Sequence, residues 1–340
     1  MLRLPPFMYL APKTLTEAVR LLADRDPAYT MLVAGGTDVY PNMKRRQFTP
    51  RQLMGLRHLR ELQHLSGDVQ QGLRIGAGMT LTRVSQHAVV LRGYPALATA
   101  AGLVSTPQLR NMGTLGGNLC VDTRCNYYNQ TYWWRQAIGF CLKKDGDTCW
   151  VAPGSTRCWA VSSSDTAPVL IALQAQVHLV GPQGERVVPV HDLYRDDGMV
   201  YLGKRPDEVL THVLVPPADG LHMAYFKLRR REAFDFPILG VAVALRLAEN
   251  GTCTAARLVL GAVASAPVVA TEAATVLVGQ KLTAEVIEAA AEAAFKLAKP
   301  LDNTDLLLSY RKKMVRVHVA RTLCQLVGLP LRPANDAADS

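Results

Sequence analysis

The stretch "YTMLVAGGTDV" (residues 29–39) ends an apolar run in two consecutive glycines. A second stretch, "RNMGTLGGN" (residues 110–118), repeats that chemistry further along the chain. The first reads as a strand that stops abruptly. Glycines, lacking Cβ, let backbone amides converge on an anion and let a diphosphate approach the main chain closely. Taken alone, this loop also fits a tight strand exit. It is not a GxGxxG fingerprint, no clean helix follows it, and the Gly-Lys-Ser/Thr of a P-loop is missing. The second loop adds a hydroxyl, two more glycines and a carboxamide. Together the two suit one dinucleotide clasped between them.

Around these loops the chain alternates helix and strand patterns. "TLTEAVRLLADR" opens with a capping-box pattern from Thr14 to Glu17 and carries apolar positions at helical spacing. "RQLMGLRHLRELQHL" reads as a short strand or helix, and "LRIGAGMTLTRV" as a strand and turn. From Tyr94 a helix leads into the second glycine loop. The stretch "TAPVLIALQAQVHLVGPQGERVVPVHDLY" reads as antiparallel strands about a Gly-Pro-Gln-Gly turn, and "VPPADG" (residues 215–220) as a linker. Beyond it, two strands flank an Asn-Gly turn, followed by the Ala- and Glu-rich helix "TAEVIEAAAEAAFKLA" and the amphipathic helix "SYRKKMVRVHVARTLCQLV". The predicted class is α+β.

The 340 residues suffice for two or three domains with real cores, and the 49% apolar and 19% charged content excludes a disordered chain. No apolar run approaches the length of a membrane span, and the N-terminus shows no signal-peptide pattern, so a cytoplasmic location is expected. The formal charge of +10 draws anions of many kinds. Without an RNA-binding signature or a helix-turn-helix, nucleic acid is set aside. The eight histidines are scattered, and no catalytic acid–base pair or nucleophile triad is found.

Several motifs occur in one order: "VAGGTD", then "MK-R" with a proline after it, "RNMGTLGGN", "SSDTAPVLIAL" and "FKLRRREAFDFP". In that order they resemble the FAD-binding subunit of the molybdenum hydroxylases, a family that includes xanthine dehydrogenase and aerobic CO dehydrogenase. The resemblance spans nearly the whole chain. It implies a two-subdomain FAD-binding fold of the vanillyl-alcohol-oxidase/PCMH type, with residues 1–58 and 59–218 as the subdomains. A C-terminal α+β domain over 221–330 and a disordered tail over 331–340 follow. It also implies that FAD is held by Leu32, Val33, Ala34, Gly35, Gly36, Thr37, Asp38 and Val39 on one side. Thr114, Leu115, Gly116, Gly117 and Asn118 hold it on the other. Asp165 and Lys227 match the family's acidic and basic flavin contacts, although Asp165 also fits an N-cap and Lys227 a solvated strand charge.

Residues 118–158 gather five of the seven cysteines and, with Trp159 beside them, all four tryptophans. Most relatives pass from the GGN loop to the SD motif directly, so residues 122–160 read as an insert. Aromatic content speaks against disorder there, and tryptophans around a metal centre would exclude water and fill volume. Three staples are open. Disulfides need an oxidising compartment, zinc favours paired Cys-x-x-Cys knuckles that are missing, and an iron–sulfur cluster tolerates irregular spacing.

Cys125, Cys141, Cys149 and Cys158 are separated by 16, 8 and 9 positions. This resembles the flavin subunit of the 4-hydroxybenzoyl-CoA reductase branch, which implies that these four hold a 4Fe–4S cluster. Cys120 is spare, in an expected strand. The same branch implies ferredoxin as donor and a large molybdenum subunit and a small 2Fe–2S subunit as partners, in a dimer of heterotrimers. Its reaction is reductive dehydroxylation of 4-hydroxybenzoyl-CoA; the alternative is the flavin subunit of an ordinary hydroxylase acting on a heterocycle or aldehyde. A structural module whose insert binds zinc is a third reading. Arg124, Arg135, Lys143, Lys144 and Arg157 outnumber Asp145 and Asp147 in the insert, a basic face suited to an acidic ferredoxin or simply to solvent.

Overall fold

The computed structural model describes residues 2–330; the expected tail at 331–340 lies outside them. The N-terminal part is built on a three-stranded parallel sheet. Gln52–Gly55 is central, between Met8–Leu10 and Thr30–Val33. The helix Leu15–Ala23 crosses over it, started by Thr14, whose hydroxyl accepts from the Glu17 amide at 3.1 Å. Ala18 and Leu22, four apart on one helical face, are the positions it buries.

A five-stranded antiparallel sheet follows, in the order Leu65–Asp68, Gly72–Gly76, Val209–Val215, Gln176–Gly181, Gly184–Pro189. The hairpin between its last two strands turns at the expected Gly-Pro-Gln-Gly, with Gly184 at φ 109°, a conformation that favours glycine. One expectation fails here. "TAPVLIA" is not a strand but the helix Thr166–Ala172, with every residue buried. An apolar run buried all round has no period to read, so helix and strand cannot be told apart by pattern alone.

The C-terminal part is a four-stranded antiparallel sheet, Val268–Val269, Cys253–Gly261, Leu239–Leu247, Leu221–Leu228. Its Asn250-Gly251 turn has Gly251 at φ 81°. The strand Leu239–Leu247 is buried on both faces. Leu239, Val241, Val243 and Leu245 point into a core shared with the helices Ala284–Leu297 and Leu308–Val327. Ala242 and Ala244 point the other way, into the core that holds the helix Thr166–Ala172 and the five-stranded sheet. Each of those leucines and valines contributes about 2 kcal/mol by leaving water, so the strand cements two cores at once. No helix among the described residues is long and apolar enough to cross a membrane.

Candidate functional site

A cavity of about 500 Å³ opens where the first two parts meet. One wall is the run from Ala34 to Val39, and the facing wall holds Gly113, Thr114, Gly116, Gly117 and Asn118. The two glycine stretches touch directly. A Cβ on Gly35 would lie 1.9 Å from the Met112 carbonyl oxygen, so only glycine lets the walls meet. The second stretch is less a loop than the short helix Leu115–Leu119. Thr114 caps it and accepts from the Gly117 amide at 3.1 Å.

Leu32 also lines the cavity, whereas Val33 and Leu115 turn inward and are buried. The Asn118 amide oxygen already accepts from Ser164 Oγ, Thr166 N and Thr166 Oγ1 at 2.9, 3.1 and 2.7 Å. What Asn118 offers a ligand is therefore its NH2 group. Leu62, Leu81, Leu109 and Leu210 supply an apolar floor. Backbone amides on two sides and an apolar floor fit a dinucleotide with a flat ring system.

Asp165 and Lys227 are together but not in the cavity wall. Lys227 Nζ lies 2.9 Å from Asp165 Oδ2, both side chains almost wholly buried, and Tyr225 donates its hydroxyl to Asp165 Oδ1 at 2.9 Å. Asp165 stands at the N-terminus of Thr166–Ala172 without capping it, because its oxygens face the C-terminal sheet instead. Burial pushes the Asp165 carboxyl up and the Lys227 ammonium down, and their pairing opposes both shifts. Lys227 also donates to the Leu103 carbonyl at 3.0 Å, next to Val104 and Ser105 of the cavity wall. The pair clamps that wall from behind.

Sequence reasoning missed other wall residues: Ser105, Cys120, Asp122, Tyr201, Lys204 and Phe236. Cys120 ends a helix rather than sitting in a strand, and its side chain packs on the core beside the cavity. Asp122 and Tyr201 belong to no recognisable motif. Phe236 lies in the "FKLRRREAFDFP" motif, so its place could have been marked for attention.

Residues 5–218 match the family described as the FAD binding domain in molybdopterin dehydrogenase, and residues 224–326 match the CO dehydrogenase flavoprotein C-terminal domain. The chain belongs to this flavoprotein family. It is 28% identical over 322 residues to the xanthine dehydrogenase FAD-binding subunit of Escherichia coli O157:H7, covering 94% of each chain. With the carbon monoxide dehydrogenase medium chain of Afipia carboxidovorans it shares 30% identity over 323 residues, 93% of this chain and 95% of that one. Carbon monoxide dehydrogenase from Hydrogenophaga pseudoflava superposes with a TM-score of 0.78 at 29% identity, over 96% of this chain and 99% of that one. The chain is thus the FAD-binding subunit of a molybdenum hydroxylase-type oxidoreductase, and the lining of the cavity between the glycine stretches suits such a cofactor.

In this flavoprotein the cysteine-rich residues 124–161 form a lobe with a small core of its own. Arg124 and Val161 exchange backbone hydrogen bonds at 2.8 and 2.7 Å and close its neck. Cys125, Cys141 and Cys158 pack together with Tyr128 and Ala160; Cys149 is also buried, and no disulfide is formed among the described residues. The Tyr127 and Tyr128 amides donate toward the Cys125 sulfur, and the Ala160 amide donates to Cys158 Sγ at 3.4 Å. Burial pushes the Cys125 thiol up to about 12 and the Cys158 thiol up to about 11. Among the described residues no three His, Cys, Asp or Glu side chains converge as ligands of a single metal ion would.

Two expectations about the lobe are corrected. Three of its tryptophans do not fill its interior. Trp133 is 73% exposed, Trp134 40% and Trp150 41%. Its basic residues, conversely, are largely not a solvated face. The side chains of Arg135, Lys143 and Arg124 are 0%, 6% and 10% exposed, spent on partners inside the protein. The lobe is also held by both neighbours: Gln47 Nε2 donates to the Tyr128 carbonyl at 2.7 Å, and Asn303 Nδ2 to the Trp159 carbonyl at 2.6 Å.

Proposed function

We propose that this chain is the electron-transferring flavin subunit of a molybdenum enzyme and that its lobe adds a second redox centre, a 4Fe–4S cluster on Cys125, Cys141, Cys149 and Cys158. The observation that carries the reading is the gathering of four buried, unbridged cysteines in one lobe, with backbone amides donating to the sulfurs of Cys125 and Cys158. Amides so placed favour thiolates and are a lever on cluster potential. The Cys125 and Cys158 thiols, pushed up by burial, stay protonated and inert unless a metal takes the proton's place.

Bound in the cavity, FAD supplies one- or two-electron exchange. The chain's own residues hold it: the glycine stretches take the diphosphate, and Asp165 and Lys227 steady the wall beside Leu103. By the branch resemblance, the complex is a cytoplasmic, ferredoxin-dependent reductase that converts 4-hydroxybenzoyl-CoA to benzoyl-CoA. In it this chain joins a large molybdenum subunit and a small 2Fe–2S subunit in a dimer of heterotrimers.

A second reading has its own support. Relatives carry names such as nicotinate dehydrogenase FAD-subunit, from Eubacterium barkeri, and aldehyde oxidoreductase FAD-binding subunit, from Escherichia coli. On that reading the complex oxidises a heterocycle or aldehyde.

Anaerobic preparation with iron, sulfide, zinc and flavin analysis, and an EPR spectrum after dithionite reduction, tests the proposal. About four irons per chain and one FAD are expected, with a reduced-cluster signal lost in Cys141→Ser and Cys149→Ser. Zinc in place of iron, or FAD with free thiols only, would leave the ordinary flavin subunit. Turnover of 4-hydroxybenzoyl-CoA by the complex, against oxidation of an aldehyde or heterocycle, separates the two reactions.

A further inference from the structure

Two carboxylates, Asp38 and Asp122, stand in the cavity wall, where an anionic diphosphate must lie. Unpaired, they would repel it. Both are paired, and both partners belong to the lobe. Arg124, at the neck, forms an ion pair with Asp38, and its guanidinium lies 4.4 Å over the ring of Phe236, another wall residue. Lys143, from inside the lobe, reaches Asp122 Oδ1 at 2.6 Å and the Gly198 carbonyl at 2.7 Å, and also donates to the Thr123 hydroxyl. Tyr128, packed among the lobe cysteines, donates its hydroxyl to Asp122 Oδ2 at 2.9 Å.

We infer that Arg124 and Lys143 are positioning residues of the FAD site, and that closure of the lobe and binding of FAD form one coupled equilibrium. With the lobe closed, the wall carboxylates are neutralised and held. With the lobe open, two negative charges face the cavity, and the Phe236 ring loses the guanidinium beneath it. Coupling of this kind is reciprocal, so FAD must tighten the lobe by the factor with which the lobe tightens FAD. The inference requires the FAD site and the folded lobe, whichever metal the thiols take.

The dissociation constant of FAD from the full-length chain, read by quenching of flavin fluorescence, tests it. Lys143→Met is expected to weaken binding at least tenfold and Lys143→Arg, which keeps the charge, to recover most of the loss. Binding by Lys143→Met within twofold of the parent overturns the inference. Should that variant fail to fold, hydrogen exchange on the parent chain decides. Amides of residues 141–149, outside the cavity wall, are expected to exchange at least threefold more slowly with FAD bound, and unchanged exchange overturns the coupling. Metal analysis of the same samples shows separately whether the lobe holds a cluster.

Discussion

Gly35 and Lys227 show what single residues contribute. A methyl group on Gly35 would collide with the backbone carbonyl of Met112, and backbone cannot swing away as a flexible side chain can. Gly35→Ala should separate the two walls and leave less than a tenth of the parent flavin content, measured as flavin absorbance per chain. Lys227→Met would leave Asp165 charged and buried with only the Tyr225 hydroxyl for company. Losing one partner of a buried pair costs about 3–5 kcal/mol, to be read from urea unfolding. The double variant Asp165→Asn with Lys227→Met should recover part of that cost, since no unpaired charge remains. Gly35 stood out in the sequence because a glycine's chemistry is local, whereas the pairing of Lys227 with Asp165, 62 positions apart, did not. Asp122 and Tyr201 did not either, because nothing in a linear pattern tells which carboxylate or phenol will meet a residue far away in the chain.

Elements were legible where they carried a period or a cap. The helix Leu15–Ala23 was readable from Thr14 and its apolar spacing, and Thr14→Ala should lower stability by about 1 kcal/mol, seen as a shift in the urea midpoint. The helix Thr166–Ala172 was misread because it is apolar on every side. Inside the lobe, composition led to the opposite error. Tryptophans were expected within and cations without, yet Trp133 faces water and Arg135 is buried. Long cationic side chains carry enough methylene to pack inside when a carboxylate or carbonyl awaits the head. Arg135 finds the Arg45 carbonyl at 3.1 Å and the Asp145 carboxylate at 3.8 Å.

The whole molecule titrates through its interior. Burial lowers His212 and His318 to about 4 from the usual 6.5, and His318 is stacked 3.8 Å from the ring of Phe226. Both stay neutral in the folded chain while the unfolded chain takes up protons, so stability is fully present above pH 6.5 and falls as the pH drops toward 4. Each histidine accounts for about 3 kcal/mol of that loss. His318→Gln should flatten the dependence over this window in thermal melts from pH 7 to pH 4; an unchanged slope would exclude His318 as a source. At this scale the sequence revealed the class of each domain but not how the domains adhere. The doubly buried strand Leu239–Leu247 reads as one apolar run whether it serves one core or two. That dual service has a consequence during translation. Until residues 239–261 leave the ribosome, the helix Thr166–Ala172 lacks one of the walls it packs against, and that apolar surface is left bare while residues 173–261 are made. The nascent subunit depends on its own late-synthesised portion for protection, so premature termination anywhere before that strand produces a sticky fragment rather than a smaller flavoprotein.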